Sequence, residues 1–305
     1  MNNFWENYFN EFIKIYESRY SKVKNDILKE DISDILKSYL FYTSDSKGKL
    51  IRSFFSFRSC DIFNIPSPLK ENLAISLEFF QSFTLIHDDL PALDDDDQRR
   101  GKPSLHKACG EANAILIGDA LSILPFKILT DNIYSKENIY SSDFYKYYPA
   151  IIKFINNFSS FSVFSLIDGQ IEDLRLLSKS NNLKNINTMN LDEKSILNIY
   201  KKKTASFFSI SLAAGAILAD EEEKAKELSN AGLSFGMAFQ LKDDIDDLEI
   251  EKKKNNLSFT NLFGIERTYE YISKYSKEAI SIIKKYDKNI LLPFFKNFFH
   301  KIKKK

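Results

Sequence analysis

The chain has 305 residues, 44% of them hydrophobic, which is enough apolar material for one sizeable core or two small ones. Its 43 basic and 42 acidic residues leave a formal charge of +1, so no global field recommends a nucleic-acid partner. Two cysteines, Cys60 and Cys109, without metal-ligand spacing around them, argue against a disulfide framework and suit a reducing cytosol.

In chain order, apolar positions recur at the helical period rather than in alternation, and glycine and proline are sparse, which predicts an all-α protein. Helices are expected near 3–24, 28–42, 48–62, 69–89, 109–131, 145–173, 192–218, 221–247 and 265–286. The breaks fall at Ser44–Gly48, Asn64–Pro68, Asp94–Pro103, Asn132–Asp143 and Ser178–Asn190. None is long enough for an interdomain linker, so the expectation is a single domain over residues 1–305. The start, Met-Asn-Asn-Phe-Trp-Glu, lacks the basic head and unbroken apolar run of a signal peptide. The longest uncharged stretch, Thr204–Ala219, is too short to span a bilayer and reads as a buried helix. The lysine-rich end after His300 reads as a solvated tail.

Two carboxylate clusters close two of these helices. The first runs His87-Asp88-Asp89-Leu90-Pro91-Ala92-Leu93-Asp94-Asp95-Asp96-Asp97-Gln98-Arg99-Arg100 and ends the apolar stretch from Leu73. Pro91 disturbs the helix, which lets Asp94 return toward Asp88 and Asp89. The second is Phe239-Gln240-Leu241-Lys242-Asp243-Asp244-Ile245-Asp246-Asp247. On a helix, Asp243 and Asp247 are i and i+4, Asp244 and Asp247 are i and i+3, and Gln240 lies one turn earlier, so all four share a face. An isolated Asp-Asp is usually a solvated helix end or an N-cap. Two clusters with the same Asp-Asp-then-Asp grammar instead call for a hard cation. Mg²⁺ takes one or two protein carboxylates beside substrate phosphates, so a polyphosphate held through magnesium is expected.

The ordered motifs resemble the trans-isoprenyl diphosphate synthase family. Asp88-Asp89, Asp94 and the following Arg99-Arg100-Gly101-Lys102-Pro103 resemble its first aspartate-rich motif, and Asp243-Asp244-Ile245-Asp246-Asp247 the second. Lys47-Gly48-Lys49-Leu50-Ile51-Arg52 is similar to its Gly-Gly-Lys-Arg-Leu-Arg motif, with Leu50 where the family has an Arg. Gly110-Glu111-Ala112-Asn113, Gly118-Asp119, Gly169-Gln170, Lys203-Thr204 and Phe239-Gln240 follow in family order. Within the family, the four-residue spacer with Pro91-Ala92 is similar to bacterial-type farnesyl and plant-type geranylgeranyl branches, and Leu85–Ala92 is closest to the former.

The resemblance implies an isoprenoid-synthase-type helical bundle around a deep central cavity, a cytoplasmic homodimer, and no integral membrane association. It implies three Mg²⁺ ions, shared with the allylic diphosphate, on Asp88, Asp89, Asp94, Asp243, Asp244 and Asp247. Arg99 and Lys203, with Lys242 as a further candidate, would cradle the allylic diphosphate of dimethylallyl or geranyl diphosphate. Arg99 as a mere partner of the surplus Asp95–Asp97 is the plainer alternative. Gly48, Lys49, Arg52 and Arg100 match the magnesium-free pocket for isopentenyl diphosphate, and Gln81 stands where the family often has His. Thr204 and Gln240 would stabilise the allylic cation, the released diphosphate would take the proton, and His87 reads as a structural neighbour of Asp88. The segment Leu248–Leu257 is short for the family's lid and has Asn255-Asn256 in place of Gly-Lys, with Lys252, Lys253 and Lys254 nearby. Phe83, five residues before Asp88, sits where an aromatic ring limits elongation in related farnesyl synthases, although Phe79, Phe80 and Phe83 are also readable as core. The expected product is farnesyl diphosphate, with geranylgeranyl diphosphate the alternative.

A class I terpene cyclase would pair its Asp-rich motif with an Asn/Ser/Glu motif and would lack the Lys49/Arg52 pocket. A squalene-type enzyme would carry two Asp-x-x-x-Asp motifs. A non-catalytic subunit of a heteromeric prenyl synthase tends to lose aspartates, and this chain keeps all six.

Overall fold

The computed structural model describes residues 4–46, 48–134, 147–182, 192–246, 248 and 258–302. The described residues are almost entirely helical, as the sequence predicts, with one two-residue ladder pairing Gln98–Arg99 (β1) and Lys102–Pro103 (β2). They cluster into two compact units, Glu6–Ile151 and Ile152–Lys305, the latter with Met1–Trp5.

The N-terminal unit contains most of α1 (Phe4–Leu28), then α2 (Asp34–Tyr39), α3 (Tyr42–Asp45), α4 (Ile51–Ile62), α5 (Ser67–Asp88), the ladder, α6 (Leu105–Cys109) and α7 (Glu111–Tyr134). The helix expected over 28–42 is two short helices: the first starts at Asp34, where the Ser33 hydroxyl accepts from the Leu36 amide, and the path divides at Phe41, whose φ −101° and ψ 3° leave the helical region. The helix expected from 48 starts at Ile51, since Leu50 adopts φ 50° and breaks the preceding path. α5 is the unit's centre, packed on α4 and α7. Its residues Asn72 to Phe80 are buried without interruption. Polar members of that run satisfy main-chain groups of α7: Asn72 Nδ2 donates to the Ile128 carbonyl at 2.9 Å and Ser76 Oγ to the Pro125 carbonyl at 3.2 Å. Pro125 sits inside α7 and has no N–H to offer the carbonyl four residues earlier, so the helix forgoes one bond where it packs on α5. α1 adds an aromatic layer, Phe12 meeting Phe54 and Phe57 at ring separations of 5.5 and 5.2 Å.

The C-terminal unit holds most of α8 (Tyr148–Phe161), a π-helical turn (Ser162–Ile167), α9 (Asp168–Asn182), α10 (Glu193–Tyr200), a second π turn (Lys201–Ala205), α11 (Ser206–Leu218), α12 (Glu222–Asp246), α13 (Phe259–Phe263), α14 (Ile265–Tyr286) and α15 (Leu291–Ile302). α11 is apolar on every side and buried from Ile210 to Leu218. α12 packs along it through Gly232 and Gly236, where a Cβ would lie 2.4 Å from the Phe208 carbonyl oxygen and 2.5 Å from the Ala205 Cα. Phe235 lies next to these glycines, its ring 4.8 Å from those of both Phe295 and Phe298 of α15. The sequence reading omits α15, yet its cap is visible there: Asp287 accepts from the amides of Asn289, Ile290 and Leu291.

Two helical stretches, Glu111–Asp131 and Tyr148–Leu176, are long and apolar enough by composition to cross a bilayer, which the reading of Thr204–Ala219 alone misses. Only 39% and 28% of their apolar windows are buried. They therefore carry apolar faces, Leu116 and Ile123 on one, Ile152, Val163 and Phe164 on the other.

Candidate active site

The first aspartate motif is built by the end of α5. Asp88 is its last residue and Asp89 its C-cap. The chain then folds back, the Asp94 amide donating to the Asp88 carbonyl at 2.9 Å and the Asp95 amide to the Leu90 carbonyl at 3.2 Å. The return anticipated from Pro91 is therefore made through main-chain bonds. Asp88 is half-buried and Asp94 exposed, whereas Asp89 is buried. Arg99 Nε donates to Asp89 at 2.9 Å, its Nη2 donates to the same oxygen, and Nη2 also reaches Asp96 at 3.2 Å. Arg99 thus pairs with one of the surplus acids, as the plainer alternative has it, and also with a motif aspartate that the sequence reading did not pair it with. Burial pushes the Asp89 carboxyl up, against the downward pull of Arg99.

Arg100 reaches a different set of groups. Its Nη1 donates to the carbonyls of Ser46 at 2.6 Å and Thr43 at 3.3 Å, and its Nη2 to Glu78 Oε1 at 3.3 Å. The guanidinium lies against Gly48, where a Cβ would come within 2.3 Å of Nη2, so only glycine admits this approach. Arg52 is half-buried in the first turn of α4, and its charge acts on Glu78 as well. Gly48, Arg52 and Arg100 are accordingly brought together around Glu78, while Lys49 is exposed. Gln81, one turn beyond Glu78, donates to Thr84 Oγ1 at 3.1 Å, and its Oε1 is buried without a hydrogen-bond partner. Phe83 is half-buried, its ring 5.1 Å from Phe80 and 4.9 Å from His87. His87 Nε2 lies 3.2 Å from the Ile115 carbonyl and fills the space that Gly118 leaves open, which agrees with the structural role expected of it.

In the C-terminal unit, the π turn Lys201–Ala205 carries Lys203 and Thr204. Such turns insert an extra residue into the helical path and are frequent at functional sites. Lys203 Nζ donates to Asp173 at 2.8 Å, and Lys202 Nζ to Asp168 at 2.5 Å and Glu172 at 2.9 Å. Gly169 lets α9 approach this turn, a Cβ there falling 2.7 Å from the Lys203 amide nitrogen. The Thr204 hydroxyl donates to Gln240 Oε1 at 2.8 Å, and Gln240 Nε2 in turn donates to Asp244 at 3.3 Å. Asp244 is buried and also accepts from the Tyr200 hydroxyl at 2.6 Å and the Phe259 amide at 3.1 Å. Asp243 is half-buried beside it, and Lys242 is paired with Asp246. Asp247, Lys47 and the lid segment 249–257 lie outside the described residues.

Two clefts of about 920 and 820 Å³ within this unit are lined by α10, α12, α14 and α15, and none of the predicted site residues borders them. The sequence reading misses Glu78, Asp173 and Tyr200. Glu78 alone had a signal, as the single acid in the apolar run Leu73–His87.

The polyprenyl synthetase family matches residues 33–261. A farnesyl diphosphate synthase of Buchnera aphidicola subsp. Schizaphis graminum is 31% identical over 297 residues, 93% of this chain and 95% of that protein. A chloroplastic geranylgeranyl pyrophosphate synthase of Arabidopsis thaliana is 29% identical over 264 residues, 83% of this chain and 69% of that one. The crystal structure of a geranyltransferase from Legionella pneumophila superposes with a TM-score of 0.75 at 25% identity, covering 99% of this chain and 98% of that one.

Proposed function

The chain belongs to the polyprenyl synthetase family, and from that membership we propose that it condenses isopentenyl diphosphate head-to-tail with dimethylallyl and geranyl diphosphate to give farnesyl diphosphate and inorganic diphosphate. The observation that carries the reading is the divergence of two neighbouring arginines. Arg99 is held by Asp89 of the first aspartate motif, and Arg100 by Glu78 and the Ser46 carbonyl beside Gly48. One hairpin thus ties a carboxylate-rich site for a metal-borne diphosphate to a basic pocket for a second, metal-free one.

The carboxylates fit Mg²⁺. Among the described residues no three His, Cys, Asp or Glu side chains gather closely enough to hold a metal by themselves. Mg²⁺ needs only one or two protein carboxylates when substrate phosphates and water complete its shell, and the hard oxygens of the two aspartate motifs suit it. Asp88, Asp89, Asp94, Asp243, Asp244 and Asp247 would hold the ions, three by family resemblance. Bound there, Mg²⁺ would act as a Lewis acid on the departing diphosphate. Lys203, oriented by Asp173, would add a positive charge to that anion, and the half-buried Thr204 and Gln240 would turn their oxygens toward the allylic cation. The isopentenyl double bond then attacks, and the released diphosphate removes the proton. Excluding water at this stage protects the cation from becoming an alcohol.

Geranylgeranyl diphosphate is the second reading for the product, favoured by Pro91-Ala92 and by the similarity to the Arabidopsis enzyme. The apolar faces bearing Leu116 and Ile123, and Ile152, Val163 and Phe164, support a homodimer. The family match crosses the boundary between the two units, which supports one polyprenyl-synthase domain over 1–305. The free cysteines Cys60 and Cys109 support a cytoplasmic setting. The test is incubation of purified protein with isopentenyl and dimethylallyl diphosphates and Mg²⁺, followed by product chromatography. A fifteen-carbon diphosphate is the expected main product, and absence of any prenyl product overturns the proposal.

A further inference from the structure

We infer that Glu78 is a positioning residue of the isopentenyl diphosphate pocket, fixing the guanidinium of Arg100 against Gly48 and balancing the charge of Arg52; this rests on the condensation proposed above. Glu78 is 3% exposed and stands in the buried stretch Asn72–Phe80 of α5. A carboxylate in such a place is costly unless it is paired and hydrogen-bonded. Replacing a buried ion pair with apolar side chains is often neutral or stabilising, so stability by itself does not call for an acid here.

What the acid does is geometric. Arg100 Nη2 meets Glu78 Oε1 at 3.3 Å while Nη1 meets the Ser46 and Thr43 carbonyls, so the planar guanidinium is held from two sides. It fills the space beside Gly48 where a side chain would otherwise stand. The pocket motif places Lys49, Arg52 and Arg100 close along the chain or in space, and without an anion these cations repel. Glu78 is the buried carboxylate acted on by both Arg100 and Arg52. It keeps the arginines in place before substrate arrives, so that little reorganisation is left for the binding step. The buried hydroxyl of Tyr16, which makes no hydrogen bond, lies in the same field.

The experiment is steady-state kinetics of Glu78→Gln and Glu78→Met with both substrates varied, beside calorimetric titration of isopentenyl diphosphate in the absence of Mg²⁺. The Michaelis constant for isopentenyl diphosphate should rise about tenfold, with a matching loss of magnesium-free affinity, while that for the allylic substrate stays within about twofold. Partial unfolding would lower turnover and leave the ratio of the two Michaelis constants untouched, so the ratio decides even for a fragile variant. Glu78→Asp, which keeps the charge, should recover part of the loss. An unchanged ratio in both variants, or an equal rise for both substrates, overturns the assignment. A wild-type protein that forms no prenyl product defeats the condensation itself and is told apart by that result alone.

Discussion

The amide of Asp94 is hydrogen-bonded to the carbonyl of Asp88 at 2.9 Å, so the two carboxylates at the ends of the first motif belong to one closed main-chain turn. That turn is closed by main-chain atoms, which an alanine in place of Asp88 still supplies. Asp88→Ala should therefore remove a carboxylate and leave the fold standing, and Asp243→Ala should do the same at the end of α12. Each is expected to lower turnover by about a hundredfold or more, because stabilisation of the departing diphosphate grows mainly in the transition state. Near-wild-type turnover of either variant at saturating Mg²⁺ removes that residue from the set of ligands.

Arg52→Ala addresses the other anion. The Michaelis constant for isopentenyl diphosphate should rise by about tenfold and that for the allylic substrate far less, since Arg52 stands with Arg100 and Glu78. Equal changes for the two substrates in initial-rate kinetics would speak against separate pockets.

Much of this was readable from local pattern. The return of Asp94 followed from Pro91. The buried stripe of α14, Thr268, Ile272, Ser276, Ala279 and Ile283, obeys the helical period. Other features depend on contacts distant in sequence. Nothing in Lys201-Lys202-Lys203-Thr204-Ala205 announces a π turn, because a window scored at 3.6 residues per turn tolerates one residue of slippage. The bond from Lys203 to Asp173 spans that turn and was hidden with it. Tyr200, which reaches Asp244 across 44 positions, looks in sequence like any apolar-face aromatic. α15 is absent from the expected helices although Asp287 and Pro293 mark its start, its few turns lying between the helix expected to end at 286 and the lysine-rich end after His300.

Gly169→Ala tests the packing behind the π turn. In most helices this substitution stabilises modestly by restricting the unfolded chain. Here the added carbon would lie 2.7 Å from the Lys203 amide nitrogen and 2.7 Å from the Lys202 Cβ, and main chain cannot step aside as a side-chain tip can. We expect a loss of about 1–3 kcal/mol in denaturant unfolding, with a raised Michaelis constant for the allylic substrate as Lys203 and Thr204 are displaced. A gain in stability would show that the turn yields freely.

The ion pair at the start of α10 sets a pH dependence with a defined sign. Glu193 accepts from Arg267 Nε at 2.7 Å and Nη2 at 2.9 Å and from the Tyr271 hydroxyl at 2.7 Å, and these bonds hold its carboxyl down at about 2. A carboxyl depressed in the folded state stabilises fully above its ordinary value of 4.5 and loses that contribution as pH falls toward about 2. The melting temperature of wild type should therefore exceed that of Glu193→Gln at pH 7, and the gap should close between pH 4.5 and 2. Because the pair is partly exposed, the gap should be small and should shrink in high salt. A gap that widens on acidification contradicts the assignment.

Product length turns on the face of α5 below Asp88. At about 1.5 Å of rise per residue, Thr84 lies about 6 Å from Asp88 along the axis, Phe83 about 7.5 Å and Phe80 about 12 Å. The structure separates the three phenylalanines. Phe79 is fully buried between Tyr20 and Phe41, at ring separations of 5.8 and 5.7 Å, and Phe80 is only 3% exposed, so both serve the core. Phe83 is half-buried and stands edge-on to Phe80 and His87, so unlike the other two it is not sealed in the core. Thr84 is on the Asp88 face and Phe83 flanks it, so a chain that descends beside Thr84 meets Phe83 before the packed layer beneath it. Thr84 offers no comparable bulk, its hydroxyl being turned back to the Gln81 carbonyl at 2.9 Å. Phe83→Ala should remove the obstacle, with Phe80 as the next floor about 4.5 Å further down. The product distribution should then shift from fifteen carbons to twenty or longer in chromatography of the dephosphorylated alcohols. A wild-type enzyme that already makes mainly the twenty-carbon product, or a Phe83→Ala variant with an unchanged distribution, would show that the floor lies elsewhere.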